Sequence, residues 1–129
     1  MFDGADPNQE AIEAWNTVLF DKFSRFRKLV TEGLGYHGTL AIDQHVPATL
    51  NRVLDVGCGF GDTTLEIARK LGSGARVVGV DGAERFIQVA REDARVAGET
   101  KAEFAVADVG AADLGGPFEL AFSRFGTMF

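Results

Sequence analysis

The stretch VLDVGCGFGDTT, residues 53–64, decides the fold of this chain. It passes from an apolar run, residues 53–56, through three closely spaced glycines to residues that can begin a helix. Glycine lets the backbone turn tightly and lets a bound molecule approach the main chain. The stretch therefore predicts a strand, a tight turn and a helix, with a nucleotide-type site at the turn.

Downstream of this glycine loop, short β-branched runs alternate with helical patterns. Helices are predicted over residues 63–71 and 84–97, and strands over residues 76–80, 103–107 and 118–122. Nearly continuous apolar strands separated by helices are typical of a parallel sheet with helices on both faces. We therefore predict an α/β domain with a four-stranded parallel sheet.

The sequence upstream of the loop has a helical pattern. Residues 8–32 carry apolar side chains at every third or fourth position, which predicts one amphipathic helix. Asp6 can cap its first turn, and Gly33 and Gly35 are predicted to end it. Residues 36–51 show no clear period and predict a connection to the first strand.

Composition restricts the class of protein. The 129 residues carry 13 Lys and Arg against 19 Asp and Glu, a formal net charge of −6. One domain is expected, divided into an N-terminal helical cap and connection, residues 1–51, and a sheet-forming half-domain, residues 52–129. Because nucleic-acid binding depends largely on Lys and Arg, the acidic balance predicts no nucleic-acid partner.

Two further exclusions follow from the sequence. No apolar stretch approaches the roughly 20 residues that cross a bilayer, and the N-terminal residues lack the pattern of a signal peptide. We therefore expect no membrane span and a cytoplasmic location. Cys58 has no second cysteine to pair with, so the sequence predicts no metal site.

The spacing of the loop glycines separates two classes of nucleotide ligand. Gly57, Gly59 and Gly61 follow Gly-x-Gly-x-Gly, whereas the dinucleotide fingerprint needs a glycine where this chain has Asp62. Asp55 and Asp62 flank the loop and would repel a pyrophosphate. A ligand with a sulfonium or ammonium cation and no phosphate, such as S-adenosylmethionine, matches this charge better.

Two more carboxylates follow later strands. Asp81 ends the second strand and can accept hydrogen bonds from two ribose hydroxyls, and Asp108 follows the third strand and can accept from an adenine amino group. Taken alone, each acid fits a solvated strand end better than a ligand-binding group. Because parallel strands end at one edge of the sheet, we expect both acids to lie beside the glycine loop.

With these residues in place, the chain resembles the class I S-adenosylmethionine-dependent methyltransferases, in the small-molecule branch that includes ubiquinone and menaquinone biosynthesis enzymes. The resemblance rests on residues 53–64, 77–81, 108–109 and 118–129. It implies a Rossmann-like parallel sheet of strand order 3-2-1-4. It also implies S-adenosyl-L-methionine as cofactor, S-adenosyl-L-homocysteine as product and a small molecule as methyl acceptor.

The resemblance implies a set of cofactor contacts but no catalytic residue. The glycines would hold the methionine end, Asp81 the ribose, and Asp108 with Val109 the adenine, while Ser123 would lie beside the methionine moiety. The full implied set is Asp55, Gly57, Gly59, Gly61, Thr63, Asp81, Gly82, Asp108, Val109 and Ser123.

The resemblance ends with the fourth strand. Family members continue with a fifth strand, a terminal hairpin and further helices, so we expect this chain to carry the cofactor-binding half with the C-terminal part of the domain absent. An exposed fourth strand rich in Phe118, Leu120, Phe122, Phe125 and Phe129 further predicts self-association. Two alternatives stay open: a non-catalytic cofactor-binding or interaction fragment, and a nicotinamide-dependent oxidoreductase.

Overall fold

Four parallel strands form one sheet. In the computed structural model, which describes residues 7–128, they are β1 (Arg52–Val56), β2 (Arg76–Asp81), β3 (Ala102–Val106) and β4 (Leu120–Phe122). Their order is β3-β2-β1-β4, so β1 pairs with both β2 and β4. The α/β fold and the strand order expected from the sequence are confirmed.

The register of the sheet brings the chemistry to one edge. Asp55 in β1 lies opposite Gly79 of β2 and Phe122 of β4, and Asp81 at the end of β2 lies opposite Val106 of β3. Because all the strands run the same way, the loops that follow them leave from the same edge. The glycine loop after β1 therefore lies beside the carboxyl ends of the neighbouring strands.

Two helices connect the first three strands and bury the sheet. Helix α4 (Asp62–Lys70) packs against β2, and helix α5 (Glu84–Ala97) packs against β2 and β3. Val53, Val77 and Ile67 are fully buried in the resulting hydrophobic cluster. Burying an aliphatic side chain of this size contributes about 1.5–3 kcal/mol, so this cluster stabilises the connection of sheet and helices.

The N-terminal part of the chain is helical for longer than predicted. It forms α1 (Pro7–Ala14), a π-helical stretch (Trp15–Leu19), α2 (Phe20–Arg25) and α3 (Arg27–His45). The predicted end at Gly33 and Gly35 is wrong, because α3 passes through both glycines. Most of the predicted connection is also helix, and only residues 46–51 connect to β1. The predicted cap at Asp6 lies outside the described residues.

Tertiary packing explains the extra length of α3. A glycine in a helix interior costs about 1 kcal/mol relative to alanine, which is why Gly33 and Gly35 predicted an end. Ile42 and Val46, however, are each only 1% exposed and join the cluster around Val53. Their burial against α4 and β1 offsets the cost of the glycines. The division of the chain at residue 51 stays a prediction.

The N-terminal helices dock through aromatic rings. Phe60 of the glycine loop and Phe86 of α5 have ring centroids 4.7 Å apart, and Phe20 lies 5.0 Å from Phe86. Trp15 and Phe23 pack against the same cluster. Aromatic pairs at these distances contribute about 0.5–1.5 kcal/mol beyond their burial. The helices are thereby held over the carboxyl edge of the sheet.

Gly79 provides a test of packing beneath this edge. A Cβ atom there would lie 2.7 Å from Thr64 Oγ1 and 2.9 Å from Phe104 Cδ1. Because both neighbours would have to move, we expect Gly79→Ala to lower the free energy of unfolding by about 1–3 kcal/mol, measured by urea denaturation. Gly74→Ala is the control, because nothing lies within 4 Å of a Cβ atom at position 74. Equal effects of the two substitutions would contradict the packing described.

Candidate functional site

A cavity of about 690 Å³ lies between the carboxyl edge of the sheet and the N-terminal helices. Four loop segments line it, residues 56–60, 80–83, 107–110 and 124–128, and residues of α1, α2 and α3 cover it. Its volume falls within the range of about 300–1,000 Å³ typical of small-molecule sites. It lies where the strand order reverses between β1 and β4, the usual ligand crevice of such sheets.

The glycine loop depends on left-handed backbone. Gly57, Gly59 and Gly61 have φ angles of 68°, 54° and 81°, which side chains with a Cβ atom rarely adopt. The amide groups of Gly57 and Cys58 both donate to the carbonyl oxygen of Val80, at 2.8 and 3.0 Å. The loop is therefore fixed to the end of β2 and exposes main chain to the cavity.

Asp81 is held at the cavity wall by two backbone amides. Its Oδ2 accepts from the amide of Gly59 at 2.9 Å, and its Oδ1 accepts from the amide of Ala83 at 2.9 Å. Burial raises the pKa of Asp81, and the two amide hydrogen bonds lower it. Each carboxylate oxygen has a second lone pair, so Asp81 can accept two further hydrogen bonds from a ligand.

Asp108 connects the third loop to the N-terminal cover. Its Oδ1 accepts from the amide of Gly110 at 2.8 Å, and its Oδ2 accepts from Asn8 Nδ2 of α1 at 3.0 Å. Val109 lines the cavity beside it and is 44% exposed. The two residues that were expected to hold the adenine therefore lie where α1 meets the loop after β3.

The structure brings six of the ten sequence-derived residues to the cavity. These are Gly57, Gly59, Asp81, Gly82, Asp108 and Val109. Asp55, Gly61, Thr63 and Ser123 do not line it. Asp55 and Thr63 are buried, and Asp55 Oδ2 accepts a hydrogen bond from Thr64 Oγ1 at 2.7 Å. A Cβ atom at Gly61 would lie 2.7 Å from Phe104 Cε1, so this glycine allows α4 to approach β3 closely.

Ser123 braces the glycine loop from behind. Its Oγ donates to the carbonyl oxygen of Val56 at 2.9 Å and accepts from the amide of Gly126 at 3.1 Å. Gly126 begins a short 3-10 turn, Gly126–Met128, and a Cβ atom at Gly57 would lie 2.5 Å from its Cα. Glycine at position 57 is thus required both by backbone conformation and by this close approach.

Sequence reasoning missed the residues that the N-terminal helices contribute. Arg27, Val30, Thr31 and Leu34 line the cavity from one face of α3. Their spacing of three and four residues was visible in the sequence and indicated a helix. Only the docking of α3 over the sheet edge shows that this face covers a site.

The charge argument drawn from Asp55 and Asp62 needs correction. Asp62 Oδ1 is paired with Arg27 Nη2 at 3.0 Å, and Arg27 also pairs with Asp93 at 2.6 Å. The guanidinium of Arg27 lies over the Phe60 ring, 4.6 Å from its centroid. Asp55 is buried, and Asp62 is paired with Arg27, but Arg27 is shared with Asp93, so these three side chains together keep one negative charge. The exclusion of a phosphate ligand on that ground is weakened.

Burial also determines the protonation of two further groups. It raises the pKa of Asp55 to about 7, and the nearby charge of Asp81 adds to this, while the Thr64 hydroxyl and the charge of Arg124 lower it. Burial likewise raises the pKa of the Cys58 thiol, with the charges of Asp55 and Asp81 contributing. Cys58 therefore stays a protonated thiol, which does not suit a nucleophile.

Comparison with known proteins identifies the family. The family model described as a methyltransferase domain matches residues 49–125, more than half of the chain. The chain belongs to the methyltransferase domain family. The resemblance to class I S-adenosylmethionine-dependent methyltransferases is thereby confirmed.

Individual relatives cover the chain to different extents. The magnesium-protoporphyrin O-methyltransferase of Rhodobacter capsulatus is 34% identical over 112 residues, which is 84% of this chain and 48% of that protein. The crystal structure of magnesium protoporphyrin IX methyltransferase (ChlM) from Synechocystis PCC 6803 with bound SAH has a TM-score of 0.67 at 22% identity. That alignment covers 90% of this chain and 57% of the other. The chain spans about half the length of the former relative.

A further relative bears on the predicted absence of a nucleic-acid partner. The 23S rRNA (uracil(1939)-C(5))-methyltransferase RlmD of Xylella fastidiosa is 50% identical over 58 residues, 45% of this chain and 12% of that protein. Its name gives RNA as the acceptor, so the comparisons do not support excluding nucleic acid. Net charge describes the whole chain and does not report how charge is arranged at a site.

Membrane spanning can be examined for the described helices. Within residues 7–128, no helix has both the length and the hydropathy needed to cross a membrane.

The buried acid Asp55 predicts a pH dependence of stability. Its pKa is about 7 in the fold and about 4 in an unfolded chain, so the unfolded state loses this proton first as the pH rises. The free energy of unfolding should therefore fall between about pH 4 and pH 7, by up to roughly 4 kcal/mol from this group. Asp55→Asn keeps an oxygen that can accept from Thr64 and should flatten much of this slope.

Urea denaturation at half-unit intervals from pH 4 to pH 8 measures this slope. Glu13→Gln, at an exposed acid on α1, is the control and should leave the slope unchanged. A slope that is the same in Asp55→Asn as in the unsubstituted chain would show that another group causes it.

Proposed function

We propose that this chain binds S-adenosyl-L-methionine in the cavity and serves the transfer of its methyl group to an acceptor. The observation that carries the proposal is Asp81, an acid at the wall of a 690 Å³ cavity beside a left-handed glycine loop. Both of its oxygens are oriented by backbone amides and retain free lone pairs. This arrangement suits a ligand with two adjacent hydroxyl groups.

The other lining residues fit the remaining parts of this cofactor. Asp108 retains lone pairs that can accept from an adenine amino group, and Val109 beside it offers an apolar contact. At Gly57 and Gly59 no side chain separates the main chain from the cavity, so a ligand can approach the backbone closely. Asp55, Gly61, Thr63 and Ser123 are proposed to act indirectly, by shaping the loop that the ligand contacts.

The proposed reaction depends on binding and orientation. S-adenosyl-L-methionine, when bound, supplies an electrophilic methyl group on a sulfonium ion, whose positive charge disappears as the methyl group is transferred. Val56, Phe125 and Met128 line the cavity with apolar surface. Excluding water favours a step in which charge is lost, and holding the acceptor in line with the methyl group lowers the entropic part of the barrier.

The acceptor is proposed to be a small molecule. The match to the magnesium-protoporphyrin O-methyltransferase of Rhodobacter capsulatus covers 84% of this chain, whereas the match to the rRNA methyltransferase covers 45%. The cavity of about 690 Å³, partly covered by α1, α2 and α3, has the volume of a small-molecule site. A cytoplasmic location stays a prediction from the sequence.

Two other functions differ from this proposal in what they bind. A non-catalytic fragment would bind the cofactor without transferring a methyl group. A nicotinamide-dependent oxidoreductase is not favoured, because the family match is to a methyltransferase domain and the glycine spacing departs from the dinucleotide fingerprint. Titration with NADH distinguishes this last alternative directly.

Calorimetric titration with S-adenosyl-L-homocysteine tests the proposed function. We expect micromolar binding to the unsubstituted chain and at least a tenfold loss for Asp81→Asn, since charged hydrogen bonds to a ligand are worth about 1.5–3 kcal/mol. Asp113→Asn, at an exposed acid outside the cavity, should bind normally. Circular dichroism confirms the fold of each variant. Unchanged affinity in Asp81→Asn, or binding of NADH alone, would refute the proposal.

We also propose self-association through the edge strand β4. Among the described residues β4 pairs only with β1, so its other edge has free backbone groups. Leu120 and Phe122 pack partly into the core and Phe118 lies beneath Arg52, which leaves Phe125 as the ring that is half exposed. Phe129 lies outside the described residues.

Sedimentation velocity over a hundredfold range of concentration tests this association. We expect a dimer at the upper end of this range and a monomer at the lower end. A monomer at every concentration would exclude the association.

A further inference from the structure

Two arginines line the cavity, and they differ in their partners. Arg27 is paired with Asp62 and Asp93, at 3.0 and 2.6 Å, and stacks over Phe60. Arg124 lines the same cavity and is only partly exposed. Among the residues that the structure describes, Arg124 makes no ion pair or hydrogen bond. The guanidinium of Arg124 is thus a cation in the cavity without a bonded counter-ion.

The fold makes room for Arg124. A Cβ atom at Gly38 of α3 would lie 3.0 Å from Arg124 Cδ and 3.6 Å from its Nη1, and Gly38 is buried. Glycine inside a helix lowers helix stability by about 1 kcal/mol relative to alanine. A glycine at such a position is therefore explained when a side chain packs against it. The arginine side chain that passes along α3 at this point supplies that contact.

The nearby acids do not satisfy this cation. Asp55 is the acid whose ionisation responds to the charge of Arg124, but its carboxyl is fully buried behind the loop and bonded to Thr64. Asp81 and Asp108 are held by backbone amides, and by Asn8 in the case of Asp108. Arg124 is only partly exposed, so a ligand oxygen can replace the water that solvates its guanidinium and accept a charge-assisted hydrogen bond from it.

The surfaces around Arg124 are apolar. Val30 and Leu34 line the cavity from α3, and Phe125 and Met128 line it from the turn after β4. Leu34, Phe125 and Met128 are 43%, 50% and 67% exposed, so a ligand can cover apolar area there. One cation among apolar side chains recognises a molecule with an apolar body and a single anionic group.

We propose that Arg124 binds the carboxylate group of a small-molecule methyl acceptor that is otherwise apolar. The inference rests on the proposed function, because it assigns the part of the same cavity near Arg124 to the methyl acceptor. A guanidinium binds the two oxygens of a carboxylate in a fixed, planar geometry. Arg124 is therefore a specificity-determining residue for the acceptor.

An RNA acceptor fits these observations less well. RNA binding gains most of its affinity from several Lys or Arg side chains that replace counterions. Here Arg27 is already paired with two carboxylates, which leaves Arg124 as the one unpaired basic side chain among the described residues that line the cavity. The apolar walls beside Arg124 also suit a compact apolar acid better than a phosphate backbone.

A pair of matched probes tests the proposal. 1-Naphthaleneacetate carries a carboxylate, and 2-(1-naphthyl)ethanol has the same ring system with a neutral hydroxyl. Calorimetric titrations of both probes are made with the full chain, with and without saturating S-adenosyl-L-homocysteine. We expect the carboxylate to bind at least about tenfold more tightly than the alcohol, as for a charge-assisted hydrogen bond.

Variants connect this preference to Arg124. Arg124→Gln should abolish the preference for the carboxylate while the alcohol binds as before, and Arg124→Lys should restore part of it. Arg69→Gln, at an exposed arginine on α4 outside the cavity, is the matched control and should keep the full preference. Gly38→Ala gives an independent variant if Arg124→Gln fails to fold. The added Cβ atom would lie 3.0 Å from Arg124 Cδ and shift this side chain by a few tenths of an ångström, so we expect the preference for the carboxylate to change.

The outcomes separate this inference from the proposed function. A failure of S-adenosyl-L-homocysteine to bind refutes the proposed function, whereas the probe titrations without it still report on Arg124. The inference is overturned if neither probe binds, if the two probes bind equally, or if Arg124→Gln keeps the preference. It is also overturned if a short uridine-rich RNA binds in an Arg124-dependent manner while the naphthalene acid does not.

Discussion

The conformation of the glycine loop is the constraint on which the rest of the site depends. Gly57, Gly59 and Gly61 all lie in the left-handed region, so the loop turns sharply enough to present its backbone to the cavity. Amide groups of the loop donate to Val80 at the end of β2, and Gly59 donates to Asp81. The position of the ligand-facing carboxylate is therefore determined by the same hydrogen bonds that hold the loop.

The N-terminal helices belong to the site as well as to the fold. Phe60 and Asp62 at the glycine loop are contacted by the N-terminal segment, through the ring of Phe20 and the guanidinium of Arg27 respectively. On the other side of the cavity, Asn8 donates to Asp108. The cover is thus attached to two of the loops that form the cavity floor. A change in the position of these helices would alter both the volume of the cavity and its charges.

Charge within the cavity is divided between its two ends. Asp81 and Asp108 lie on the loops after β2 and β3, while Arg124 lies after β4 among apolar side chains. Asp62 is paired with Arg27, which it shares with Asp93, and Asp55 is removed from the cavity by burial. The acidic end suits hydroxyl and amino donors, and the end near Arg124 suits an anionic oxygen. The two ends of the cavity therefore differ in the chemical groups that they can bind.

The strand order was expected only from the resemblance to the methyltransferases. The amino-acid sequence by itself determined the parallel sheet and the residues of the glycine loop, Asp81 and Asp108 that lie at its carboxyl edge. These features depend on local signals, namely glycine spacing, the alternation of strands and helices, and the position of an acid at a strand end. Tertiary structure alone decided that α3 continues through Gly33 and Gly35, because Ile42 and Val46 are buried against the sheet. It also decided that Asp62 is paired with Arg27 and that Arg124 lies in the cavity beside Gly38. These contacts join residues far apart in the chain, so no local pattern specifies them.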